Sequence, residues 1–164
     1  MDGRTIREFV VAFLRAGFTG RYNSTKSYFE ACKSVFGIDQ DHSSTAEAFL
    51  KESSMSEIRA VADAALESTN VPESQWSLDM LKERLPIIAK LLSQGKYGKL
   101  KDAERLKDPK YAYATLLHWI RWALVRVRWG PSIITIMSLY GRRVTLQRLE
   151  AAQQTLNEAG EKGE

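Results

Sequence analysis

Cysteine occurs once in the 164 residues, at Cys32, so the chain can form no internal disulfide and cannot supply the several thiolates of a structural zinc or iron–sulfur site. Histidine is almost as scarce. His42 and His118 cannot replace the missing thiolates, and His42 beside Asp39 and Asp41 reads as a solvated polar turn. No metal and no cofactor is therefore expected. An uninterrupted apolar run is also missing: the richest stretch, Trp119 to Met137, is broken by Arg121, Arg126 and Arg128, which excludes an ordinary membrane span. Asp2, Arg4, Arg7 and Glu8 occupy the place where a secretion signal would carry a basic region followed by an apolar core. The expected location is the cytoplasm or another intracellular compartment, with the nucleus left open.

What the chain does have is enough apolar content, 44% of residues, for one core, and a charge distribution that is lopsided. Residues 1–80 hold eight Lys or Arg against twelve Asp or Glu, a net −4, whereas residues 81–164 hold sixteen against eight, a net +8. Within 81–148, fifteen basic residues face only Glu83, Asp102, Glu104 and Asp108. A modest total charge of +4 thus conceals a strongly basic second half that would attract a phosphate polymer if its side chains converge.

Capping signals and apolar spacing divide the chain into helices. Thr5 with Glu8 starts a short one ending near Gly17, and Ser24 or Thr25 starts another, carrying Tyr28, Phe29, Cys32, Val35 and Phe36, that stops at Gly37. Ser44 with Glu47 begins a third; Ser54 with Glu57 begins a longer fourth carrying Ile58, Val61, Ala62, Ala65 and Leu66. After a turn at 69–75, Trp76, Leu78, Leu81, Leu85 and Ile88 resume a helical pattern to about Leu92, with Pro86 as a point where it can kink or split. Residues 93–108 read as a flexible or surface connection, and Asp108 followed by Pro109 as a new helix start leading through Trp129. Alternation in Val125 to Trp129 fits a strand too, but a strand there has no evident partner, so the reading is helix, break, helix. A last amphipathic helix spans about Arg142 to Ala159 with Leu146, Leu149, Ala152 and Leu156 on one side. The expectation is an all-α, compact single-domain helical bundle with short connections over residues 1–159, and a frayed tail at 160–164. No fixed-period repeat or dominant low-complexity segment interrupts it.

Three groups of residues make up the candidate nucleic-acid surface: Lys96, Lys99, Lys101, Arg105 and Lys107 in the basic connection; Arg121, Arg126 and Arg128 among tryptophans; and Arg142, Arg143 and Arg148 at the start of the last helix. Trp122 and Trp129 are candidate base-stacking residues. Helical geometry aligns Arg121 with Arg128 but turns Arg126 roughly 140° away, so these arginines do not form one stripe.

No helix-turn-helix register or cysteine–histidine finger points to a major-groove reader. Gly95, Lys96, Tyr97, Gly98 and Lys99 lack the spacing and preceding strand of a phosphate loop. His118 has no nucleophile and orienting acid at catalytic spacing, so no catalytic residue is assigned and an enzyme is not expected; one with a site assembled from distant residues stays an alternative. The reading is a non-catalytic accessory protein that contacts the backbone of a nucleic acid, RNA or single-stranded DNA in preference to duplex. Its competitor is a helical interaction or assembly module using the apolar run Ile133, Ile134, Ile136, Met137, Leu139 and Tyr140 for self-association or a protein partner.

Overall fold

The computed structural model describes residues 52–126 and 132–162. The helix readings within residues 1–51, together with Cys32 and His42, lie outside the described residues, as do Arg128, Trp129 and Pro131. Among the described residues the fold is all-α: α1 (Met55–Glu67), α2 (Leu78–Ser93), α3 (Pro109–Val125) and α4 (Ile133–Lys162) form a bundle with no strand.

Helices α1, α2 and α3 each start at a side-chain cap. Ser54 Oγ accepts from the Glu57 amide at 3.2 Å, Ser77 Oγ from the Met80 amide at 3.1 Å, and Asp108 Oδ1 from the Lys110 amide at 3.0 Å, with Pro109 in the first turn of α3 where its missing N–H is harmless. Pro86 lies inside α2 without splitting it. It is on the exposed face, away from Leu85, Ile88 and Ala89, which are buried and hold the helix against its neighbours. Helix α2 ends in a Schellman motif: Gly95, at φ +82°, donates to Leu92 O at 3.0 Å while Lys96 N reaches Leu91 O at 3.1 Å. A second non-helical glycine, Gly141 (φ 80°, ψ 166°), interrupts α4 one residue before the position where periodicity places the last helix.

Helix α3 is central and packs on α1, α2 and α4. Its second half is buried almost all round: Trp119, Ile120, Trp122, Ala123, Leu124 and Val125 are core residues, as expected of a helix with neighbours on several sides. Helix α1 contributes Ile58, Val61 and the small side chains of Ala60, Ala62, Ala64 and Ala65, and α4 closes the core with Ile136, Met137, Leu149, Ala152 and Leu156. Trp76 Nε1 donates to Met137 O at 3.0 Å, tying the turn before α2 to the first half of α4.

Residues 94–108 are an ordered strip on the surface, where the sequence allowed a flexible connection. Two short 3₁₀ turns, Leu100–Asp102 and Glu104–Lys107, flank and include the buried Ala103 and Leu106, and this apolar pair pins the strip to the bundle. Ser54 Oγ also donates to Asp102 O at 3.0 Å. Gly98 passes so close to α1 that a Cβ there would lie 3.3 Å from that of Ala60.

Candidate functional site

The basic residues named from the sequence separate into two kinds. Lys96, Lys99 and Lys101 stand exposed on the 94–108 strip, and Lys99 and Lys101 make no hydrogen bond or ion pair among the described residues. Lys96 Nζ lies 5.8 Å from the centre of the Tyr97 ring. Lys107 is exposed but bridged to Glu104 at 2.7 Å. Because the Schellman turn, Gly98, Ala103 and Leu106 fix the strip's backbone, the three lysines project from a held surface rather than from a loose tail.

Most of the arginines are turned to structural use. Arg142 Nε donates to Thr69 O at 2.8 Å, closing the turn after α1. Arg148 Nη1 donates to Leu124 O at 2.6 Å and to Tyr140 Oη at 3.2 Å, with its guanidinium 4.6 Å from that ring's centre. It joins α4 to the last turn of α3. Arg126 takes the left-handed conformation, φ 56°, that terminates α3, and both it and Arg121 are half-buried. Arg143 remains exposed. Trp122 is only 7% exposed and its ring meets Trp119 at 5.2 Å, which removes it from base stacking and corrects that expectation: α3 needs the indole to fill the core.

Arg105 leads to a feature that sequence reading missed. Glu57, read as a capping residue, has its amide capped by Ser54, but its carboxylate turns inward and the residue is 2% exposed. Tyr111 Oη donates to it at 2.7 Å and Arg105 Nη2 at 3.2 Å, while Arg105 also donates to Glu52 O at 3.1 Å and stacks 5.1 Å from the Tyr111 ring. A buried carboxylate persists only when paired and hydrogen-bonded, and these partners, 48 and 54 residues distant, supply that. Burial, followed by its bond to the Glu57 carboxylate, raises the Tyr111 hydroxyl above its ordinary pKa of 10.0.

No family model, curated protein or solved structure matches the chain. What the site can do must come from its own chemistry.

A pocket of about 250 Å³ opens beside this cluster, lined by Glu52, Ser53, Arg105, Tyr111, Thr115 and His118 among others. Tyr111 and Arg105 occupy the carboxylate of Glu57, so its evident work is to hold α1, the 104–107 turn and α3 together. Replacing Tyr111 with Phe is expected to lower stability by about 1.5 kcal/mol, the low end for a bond to a charged group because Arg105 stays; a denaturant midpoint with unchanged slope checks it. Among the described residues no three His, Cys, Asp or Glu side chains gather as a metal site, and no helix is long and apolar enough to cross a membrane.

Proposed function

We propose that the protein is a non-catalytic accessory factor that binds the phosphate backbone of a nucleic acid through the lysines of the 94–108 strip. The observation that carries this reading is a division of labour among the basic residues. Arg105, Arg142 and Arg148 are engaged within the fold, whereas Lys96, Lys99 and Lys101 are exposed on a fixed surface. Point charges on flexible stems neutralise phosphates without reading bases, so binding of this kind is weakly sequence-dependent and strongly salt-dependent. With Trp122 in the core, preference for RNA or single-stranded DNA rests on Trp129 alone, and the mechanism is electrostatic retention with no chemical turnover.

The assembly alternative draws less support. Ile133, Ile136, Met137 and Tyr140 are core residues and Ile134 and Leu139 are partly buried against them, so the apolar run is largely consumed within the bundle.

Binding measured over a salt series with matched RNA, single-stranded DNA and duplex DNA tests the proposal. The triple change Lys96→Gln, Lys99→Gln, Lys101→Gln is expected to reduce the slope of log affinity against log salt by about two to three and to weaken binding at low salt by about tenfold or more. Arg142→Gln is expected to leave that slope unchanged while lowering stability. Failure of the unaltered protein to bind any of the three polymers at low salt, or an unchanged slope in the triple variant, would refute the assignment.

A further inference from the structure

Helix α4 changes its buried face at Gly141. Ile133, Ile136, Met137 and Tyr140 are buried before the glycine, and Thr145, Leu149, Ala152 and Leu156 after it. At about 100° per residue the two sets would lie roughly 140° apart on a straight helix, so no straight α4 could turn both into the same core. Gly141 reconciles them by kinking the helix at φ 80° and ψ 166°, a backbone combination that a residue with a Cβ essentially does not adopt. One residue therefore decides whether α4 is bent or straight.

The second half of α4 has a defined seat, running antiparallel along α1. Arg142 Nε donates to Thr69 O at 2.8 Å, just past the end of α1, and Gln153 Nε2 donates to Asp63 Oδ1 at 2.9 Å in its middle. A Cβ on Gly160 would stand 3.0 Å from Met55 Cε at its start. Arg148 adds its bond to Leu124 O at the end of α3. Were Gly141 helical, the 30 residues of α4 would form a rod about 45 Å long. Trp76, bonded to Met137 O, would keep the first half in place, and the second half would leave its seat with Leu149, Ala152 and Leu156 facing water. The surface that fits this face is the one it has left, and a second copy of the chain carries the same surface. A dimer made in this way needs no exposed apolar patch, and among the described residues Ile87 alone is a large exposed hydrophobic.

We infer that Gly141 is a hinge for helix exchange: the protein forms a dimer in which residues 142–162 of each chain lie along α1 of the other. Each copy then regains the contacts of the bent form, so monomer and exchanged dimer differ only in the hinge and in the entropy of association, and concentration decides between them. With glycine at the hinge the bend costs little, and the parent chain is mainly monomeric. Any residue with a Cβ penalises the bend and favours the straight helix, in both copies at once.

The test is Gly141→Ala in the full chain, read by light scattering over a concentration series with circular dichroism as the check on folding. Alanine is expected to strengthen dimerisation by about tenfold for each hinge, hence by about a hundredfold for the two. A cross-link then identifies exchange. With Cys32→Ser throughout, one chain carries Asp63→Cys and another Gln153→Cys; the two are mixed, partly unfolded in denaturant, refolded together at high concentration and diluted before a short bismaleimide is added. In the exchanged dimer these positions face each other across chains, so a product joining one chain to the other is expected, in the parent and more abundantly with Gly141→Ala. The inference is overturned if folded Gly141→Ala is monomeric throughout the series, or if its dimer gives no cross-chain product. Should alanine prevent folding, the refolded parent pair decides alone, and absence of the cross-chain product there overturns the inference. Neither readout involves nucleic acid, so the outcome is independent of the lysine strip.

Discussion

Trp119→Ala is expected to destabilise the protein by about 3–5 kcal/mol, the range of the most damaging core truncations. Trp119 is 1% exposed in the middle of α3, the helix that packs on α1, α2 and α4, and its ring leans on Trp122 at 5.2 Å with a 41° tilt. Removing the indole leaves a cavity that three neighbouring helices must collapse around, and each of them is held elsewhere: α1 through Glu57, α4 through Arg148 and the turn before α2 through Trp76. Partial collapse is why the loss exceeds the transfer free energy of the side chain. Against a total stability of about 5–15 kcal/mol, this is enough to populate the unfolded state at moderate temperature. Chemical denaturation with far-UV circular dichroism checks it. A variant within about 1 kcal/mol of the parent would show that α3 is not the centre of the core. Trp122→Phe should cost less, since an aromatic ring remains, and should leave the salt dependence of nucleic-acid binding as it was.

That contrast marks how far the sequence could be read. Helix starts are local events: Ser54 with Glu57 and Asp108 with Pro109 announce α1 and α3 within four residues of chain, and the structure places both as the spacing predicts. The periodic Leu81, Leu85 and Ile88, and later Leu149, Ala152 and Leu156, likewise identify the buried faces of α2 and α4. The candidate surface was only half legible because an arginine's task is set by what lies across the fold. Arg142 finds Thr69 O, 73 residues away, and Arg148 finds Leu124 O, 24 residues away. Neither carbonyl carries a sequence signal, since every residue has one. The same holds for Glu57: its spacing from Ser54 is visible, but Arg105 and Tyr111 reach it only after α3 has docked. The lysines could be read more faithfully, because a strongly hydrated ammonium rarely leaves the surface.

Tyr140 turns one of these engaged arginines into a measurable pH effect. Burial pushes the Tyr140 phenol up from 10.0 to about 12, and the nearby Arg148 guanidinium, which favours the phenolate, only partly offsets this. The ionised form is therefore disfavoured in the folded protein and freely accessible in the unfolded chain. Below pH 10 both states keep the proton and the shift has no effect on their balance that varies with pH. As pH rises from 10 to about 12 the unfolded state releases its proton first, so folding stability falls, by about 2 kcal/mol over the interval. Tyr97 and Tyr111, also raised by burial, act in the same direction and deepen the alkaline loss. Tyr140→Phe isolates the effect. At neutral pH it removes the hydroxyl that accepts from Arg148 at 3.2 Å, while Leu124 O still holds the guanidinium, so a loss of about 1 kcal/mol is expected. At a pH of about 12 the variant, having no phenol at this position to ionise, should be more stable than the parent. Equilibrium denaturation of both proteins from neutral pH to about pH 12 reads this reversal directly, and parallel curves would show that position 140 ionises as easily in the fold as in the open chain.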